Sequence, residues 1–386
     1  MPVLNAIAEL TEAMTAWRHD FHQHPELGFQ ETRTRQKVID LLTSWGIDVH
    51  EGLGKTGVVG IIKGTKPGGR IGLRADMDAL PIKEANTFAH ASRHEGVMHA
   101  CGHDGHTTML LGAAKHLAEH RDFAGEACVI FQPAEEGLGG AQKMIADGLF
   151  DRFACDEVYA LHNWPRLPEG HIGLAPGPFM ASVNLLNVSV HGIGGHGAMP
   201  ELAANPLPVA GRFLHELYAH PTCLGQDGDR PVVSLCTIHA GSASNVIPEA
   251  VKLSGTIRSF TQTQLNRASA RLDDLAGQAP KACRIEIDIT DGYPATINSP
   301  RQTSYAEKIA QSVVGKARVN GNYPAVLASE DFSFMLEKTP GAYILVGQGR
   351  TENDPFVHTN TYDFNDEILP IGASLLVRLV TDRPTG

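Results

Sequence analysis

Apolar residues recur at helical spacing over residues 4–17 and 31–45, which predicts two amphipathic helices, the second stopped by Gly46 as a C′ residue. Two β-rich runs follow at 58–63 and 70–75. The segment VMHACGHDGHTTMLLGAAKHLAEH begins as a loop and turns into a helix near Asp104, whose carboxylate is suited to an N-cap. A strand at 126–131, a helix at 139–147 and a strand at 157–161 continue the alternation. Strands alternating with helices predict an α/β domain, its largely parallel sheet covered by helices on both faces.

The rhythm then changes. Strand 183–191, helix 206–219, strands 232–240 and 250–260, helix 264–278 and strand 284–290 form a β-α-β-β-α-β order. That is a split βαβ, ferredoxin-like α+β unit, inserted as residues 183–294 into a domain made of 1–182 and 295–386. After Pro294 the alternation resumes with a helix at 304–314, a strand at 343–346 and a closing helix at 367–381.

Composition narrows the classes. A chain of 386 residues exceeds what one core ordinarily serves, in keeping with two domains. The formal charge of −11 is spread without a basic block, which argues against nucleic acid and anionic lipid as partners. The start of the chain is amphipathic and acidic, and no stretch nears the roughly 18 apolar residues of a membrane span, so a cytoplasmic location is the expectation. Cys101, Cys128, Cys155, Cys223, Cys236 and Cys283 lie far apart, unlike a disulfide framework, and most read as small buried residues.

The chemistry concentrates where strands meet loops. Cys101-Gly-His103, just before a helix, offers a thiolate and an imidazole that can face one ion; read alone, it fits a buried Cys and a surface His equally well. Glu135 and Glu136, in QPAEEG directly after an apolar strand, stand where open α/β sheets place their sites. One carboxylate can ligate a metal while its neighbour takes a proton from water, although the same pair would also suit a solvated acidic turn. His162 follows the strand at 157–161, and His358 precedes the last helix. Asp76 and Asp78 close another β-run, as partners that orient a ligand histidine or as turn residues. Each segment has a bland reading; their convergence carries the argument.

Together MHACGHDGHTTMLLGAA, FQPAEEGLGGA, ALHNWP, GGHGAMP, SASNVIPE, GTIRSF and VHTNTYDFND resemble the M20 metallopeptidase family, in its amidohydrolase branch of hippurate hydrolases, aminoacylases and auxin-conjugate hydrolases. The resemblance covers nearly the whole chain. It implies metal ligands Cys101, His103, Glu136, His162 and His358, with Glu135 as general base and acid. It also implies that His196, in GGHGAMP, hydrogen-bonds the scissile carbonyl and that Asn245 and Arg258 hold the substrate carboxylate. The inserted unit resembles the family's lid and dimerisation domain, which implies a homodimer with His196 reaching the partner's site. The broader family shows His-x-Asp where this chain has Asp76-Met-Asp78, and a bridging Asp near Cys101. The ligand set therefore follows the amidohydrolase branch, and leaves the two divalent ions open among Zn2+, Mn2+, Co2+ and Ni2+.

The expected reaction is hydrolysis of small N-acyl amino acids by metal-activated water, with a dipeptidase or other small-amide hydrolase as the near alternative. Two rivals come from other classes. A hydrolase with Cys101 as nucleophile and His103 or His106 as base lacks a G-x-S-x-G elbow and leaves Glu135, Glu136 and His358 without a role. A non-catalytic metal-binding protein would need the ligands but not Glu135.

Overall fold

The computed structural model describes residues 3–219 and 231–383, so Cys223 lies outside the described residues. The chain forms two compact units, Met1–Phe179 with Ile297–Pro324 and Asp331–Gly386, and Met180–Thr296 with Ala325–Glu330.

The first unit is built on an eight-stranded sheet in the order Asp48–Leu53, Gly57–Lys63, Ala124–Gln132, Lys66–Asp76, Glu157–Pro168, Gly341–Gly349, Ile172–Gly173, Val319–Asn320. Its centre is parallel: Lys66–Asp76 pairs with Ala124–Gln132 on one side and Glu157–Pro168 on the other, and Glu157–Pro168 with Gly341–Gly349. Antiparallel pairings lie towards the margins, where Gly57–Lys63 joins Ala124–Gln132 and Ile172–Gly173 joins Gly341–Gly349. Strand Gly341–Gly349 is buried at every position but its last. Such continuous burial requires cover on both faces, the pattern of parallel sheets wrapped by helices. Helix His103–Glu119 packs against Thr11–Gln23 and Leu369–Thr381, and Met14, Leu110 and Leu375 from the three are fully buried.

Three expectations are corrected here. The helix expected at 4–17 is two helices, Asn5–Ala8 and Thr11–Gln23, because the Thr11 hydroxyl donates to the Ala8 carbonyl where the first one stops. Of the five described cysteines only Cys101 and Cys128 are buried; Cys155 and Cys283 are half-buried and Cys236 is exposed. Cys236 belongs to Val232–Ala240, an edge strand whose outer half faces solvent. Asp104 does not cap the helix it introduces, for a reason that lies in the site.

The second unit is a four-stranded antiparallel sheet in the order Val232–Ala240, Ala250–Ser259, Ser182–His191, Arg284–Asp291, with helices Pro206–Ala219 and Gln262–Gly277. Leu186, Val188 and Val190 alternate with exposed or half-buried residues and pack with Phe213, Leu217 and Leu272 of the helices. The two-residue period therefore buries one face of this sheet and leaves the other open.

Candidate active site

Strand register gathers the polar residues at one level. Asp76 is opposite Gln132, and Arg74 is opposite Ala160, which sets Asp76 and His162 level across neighbouring parallel strands. His162 does not end its strand, as the sequence suggested. The strand runs on to Pro168 because Gly341–Gly349 keeps pairing with it beyond the point where Lys66–Asp76 stops.

The Cys101–His103 segment turns sharply. Gly102 sits at φ 94°, and a Cβ there would lie 2.4 Å from Asn163 Oδ1 and 2.5 Å from the Tyr362 hydroxyl, so only glycine fits. The helix starts at His103 with Gly102 as N-cap. Asp104, in its first turn, instead accepts from His22 Nδ1 at 2.8 Å, with the Arg18 guanidinium at 4.0 Å. Burial opposes a charge on His22, but Asp104 and Glu84 outweigh it and push its pKa up to about 9.

The QPAEEG turn is held by backbone bonds. Ala134 and Gly137 adopt positive φ, 55° and 77°. Asp78 accepts the Glu135 N–H at 3.0 Å and the Glu136 N–H at 2.9 Å, and its Oδ1 lies 3.2 Å from His103 Nδ1. One aspartate thus positions both glutamates and orients the histidine. Asp76, by contrast, bonds His106 Nδ1 at 2.6 Å and the buried Arg74 at 2.7 Å. His106 Nε2 is held by Asn163 Oδ1 at 2.6 Å, so both His106 nitrogens are occupied.

Five residues expected to act together do converge. Single donor atoms of Cys101, His103 and His162 lie within 4.8 Å of one another, as do those of Cys101, Glu136 and His358, and of His103, Glu135 and Glu136. His358, itself at φ 64°, is anchored by its N–H to the Ala100 carbonyl at 2.7 Å. Its Nε2 stands 3.2 Å from Glu136 Oε1.

Two atoms test whether a cation fits. His103 Nε2 and Glu136 Oε1 are buried, 3.9 Å apart, and neither makes a hydrogen bond among the described residues, the 3.2 Å approach of His358 Nε2 to Glu136 Oε1 lacking hydrogen-bond geometry. Orphaned buried groups of this kind are costly, and a metal ion satisfies both. Each histidine's other nitrogen is already fixed, His103 Nδ1 by Asp78 and His162 Nδ1 by the Asn163 carbonyl at 2.6 Å, which turns Nε2 inward. Electrostatics agree. Burial, then Glu136, Glu135 and Asp76, hold the Cys101 thiol well above its usual range. Burial disfavours charge on His103, yet Asp76, Asp78 and Glu136 prevail and push it up to about 10. This excess of negative charge calls for a cation, and a coordinated thiol gives up its proton outright. The donor set fits divalent metal.

The second unit carries the remaining three residues. His196 pairs with Val246 in a two-residue ladder that the glycine-rich sequence had suggested would be loop, and the Gly197 N–H bonds the Asn245 carbonyl at 2.8 Å. His196 and Asn245 are therefore neighbours, and both are exposed. The Ala198 N–H donates to His196 Nδ1 at 3.1 Å, which leaves the neutral ring's proton on Nε2 as an outward donor. Arg258 is elsewhere: its guanidinium donates to the Leu327 carbonyl at 3.0 Å and Ser329 Oγ at 3.2 Å, and no carboxylate pairs with it among the described residues. On the central strand Ala250 is opposite His191 and Arg258 is opposite Val183. Ala250 and Arg258 are therefore roughly 25 Å apart at about 3.3 Å per residue, and the separate His196–Val246 ladder joins the chain at the Ala250 end.

Sequence reasoning passed over Arg74, Asp331, Asn163 and Glu31, all buried around the site. Arg74 spans Asp76 and Asp331, the latter at 3.1 Å. Apart from the local Arg74–Asp76 bond, their partners are distant in the chain, so little in the local sequence marks them.

The chain matches the model of peptidase family M20/M25/M40 over residues 72–382. It is 38% identical to a hippurate hydrolase of Campylobacter jejuni over 381 residues, 98% of each chain. It is 42% identical to an N-acyl-L-amino acid amidohydrolase of Geobacillus stearothermophilus over 260 residues, 67% of this chain and 70% of the relative. Among solved structures, a dinuclear metal-binding M20 peptidase of Bacillus subtilis superposes with a TM-score of 0.82 at 30% identity, covering 96% of this chain and 98% of that one.

Proposed function

Since the chain belongs to peptidase family M20/M25/M40, we infer that it is a metal-dependent hydrolase that cleaves the amide bond of N-acyl amino acids into a carboxylic acid and an amino acid. The observation that carries this reading is the pair of orphaned buried atoms, His103 Nε2 and Glu136 Oε1, beside the carboxylate of Glu135.

Cys101, His103, Glu136, His162 and His358 would hold two divalent ions, of which Zn2+ and Mn2+ suit the mixed S, N and O donors, as do Co2+ and Ni2+. When bound, the ions supply Lewis acidity towards the amide carbonyl and acidify the attacking water. Glu135, buried to 7% exposure, takes the water's proton and delivers it to the leaving amine nitrogen. Asp78 keeps that carboxylate in place through the Glu135 backbone N–H. His196 donates from Nε2 to the carbonyl oxygen as it gains charge. Arg258 and Asn245 hold the substrate carboxylate, the first through a guanidinium that has no acidic partner of its own among the described residues.

The first unit is read as the catalytic domain and the second as the lid and dimerisation domain. Arg258 stands at the end of the four-stranded sheet away from the His196–Val246 ladder, roughly 25 Å along the strand from Ala250, so Arg258 and the His196–Asn245 pair are read as not meeting on one substrate within a single chain. A homodimer, in which His196 serves the partner's site, resolves this. No helix among the described residues is long and apolar enough to cross a membrane, and the location is read as cytoplasmic. The reading is tested by exhaustive chelation, which should abolish hydrolysis of hippurate and of acetyl amino acids, with activity restored by added Zn2+ or Mn2+. Full activity in the metal-free protein would refute it.

A further inference from the structure

Glu31 is fully buried and stands at the N-terminus of helix Thr32–Ser44, yet it does not cap that helix with its side chain. Its carboxylate is used elsewhere. Oε2 accepts from the Thr56 hydroxyl at 2.5 Å, and Oε1 accepts the Ala134 N–H at 2.9 Å. With the two bonds to Asp78, three successive amides, those of Ala134, Glu135 and Glu136, are each held by a buried carboxylate.

The surroundings are strained in the same place. Four non-glycine residues have positive φ among the described residues: Phe29, Lys55, Ala134 and His358. Three of these lie close to the bonds Glu31 makes, since Phe29 is two residues before it, Lys55 precedes Thr56 and Ala134 supplies the amide. A left-handed alanine costs about 1 kcal/mol and persists only where its neighbours over-determine it. The segment before Glu31 also presses on the turn: a Cβ on Gly28 would lie 2.8 Å from Leu138 Cδ1 and 3.1 Å from Ala134 Cα.

We propose that Glu31, oriented by Thr56, is a positioning residue for catalysis that locks Ala134 in its left-handed conformation and so aims the Glu135 carboxylate at the reacting water. The inference rests on the reading of Glu135 as general base. It predicts an effect on kcat rather than on KM, because His196, Asn245 and Arg258, read as holding the substrate, lie outside this turn, and Glu136 on it keeps its own amide bond to Asp78.

The test compares Glu31→Ala, Glu31→Gln and Glu31→Ala/Ala134→Gly in the metal-loaded enzyme with hippurate. Glu31→Ala should lower kcat about 10- to 100-fold with KM within about twofold, the scale expected of a misaimed catalytic group. Glu31→Gln retains an acceptor for Ala134 and a donor for Thr56, and should keep at least about a third of kcat. Glycine at 134 removes the left-handed strain, so the double variant should recover about fivefold or more over Glu31→Ala. Hydrogen exchange over residues 132–138 should quicken in Glu31→Ala and not in Glu31→Gln, a readout independent of turnover. Unchanged kcat and exchange in Glu31→Ala, or equal losses in the Ala and Gln variants, would overturn the proposal. If Glu31→Ala gives no folded protein, Thr56→Val takes its place, with a kcat loss of about 3- to 10-fold and faster exchange expected and no change in either overturning the proposal. Glu135→Gln runs alongside: if it stays active the general-base reading fails, whereas an inactive Glu135→Gln with a fully active Glu31→Ala defeats the positioning role alone.

Discussion

Asp78 accepts the Glu135 backbone N–H at 3.0 Å, so the turn that presents Glu135 is held through its amide. Glu135→Gln should therefore leave the turn and the metal content in place while removing proton transfer. The expected loss in kcat is about 10²- to 10⁴-fold, larger if the same group also serves as the acid. Metal analysis and steady-state kinetics on one preparation check this; near wild-type kcat would exclude Glu135 from the reaction.

Cys101 shares one cluster with His103 and His162 and another with Glu136 and His358. Its loss should disturb both. Cys101→Ser is expected to lower bound metal and activity together, because a serine hydroxyl is a poor ligand at neutral pH, and excess Zn2+ or Mn2+ should restore part of the rate. A variant that keeps its full metal content and rate would reduce Cys101 to a packing residue.

Arg258→Ala should impair hydrolysis of an N-acyl amino acid far more than that of the amide-capped analogue. Lysine should not substitute, since it lacks the planar fork that matches a carboxylate. Equal losses on the two substrates, measured as kcat/KM, would point to damage to the fold.

Arg74 is wholly buried between Asp76 at 2.7 Å and Asp331 at 3.1 Å. Arg74→Met would leave both carboxylates buried without their counter-charge, at a cost of about 3 to 5 kcal/mol. Urea denaturation of the metal-free protein measures this directly. A change under about 1 kcal/mol would show the network relaxing to water or to protonated carboxylates.

His196 lies in a ladder that joins the chain at the end of the sheet away from Arg258, which gives a complementation experiment. Glu135→Gln and His196→Ala subunits are each expected to be nearly inactive. Mixed, they should regain activity, because one hybrid site per heterodimer holds both Glu135 and the partner's His196. Heterodimers that form and stay inactive, or a chain that is monomeric at working concentration, would confine His196 to its own subunit.

What the sequence determined by itself was local. The three- to four-residue and two-residue apolar periods marked most helices and strands, and the change of rhythm after residue 182 marked the α+β unit, because burial of one face is written in the period. Cys101-Gly-His103 and the Glu135-Glu136 turn were legible because their donors are adjacent in the chain. Tertiary structure decided the rest. Asp104 reads as an N-cap, but His22 and Arg18 reach it from a helix far back in the chain, and a buried charge pair outcompetes a local cap. Glu31 is 103 residues from the Ala134 amide it accepts, and Arg74 is 257 from Asp331, so no periodicity could couple them. The ends to which Arg258 and His196 are assigned follow from strand register, which only pairing between distant segments specifies.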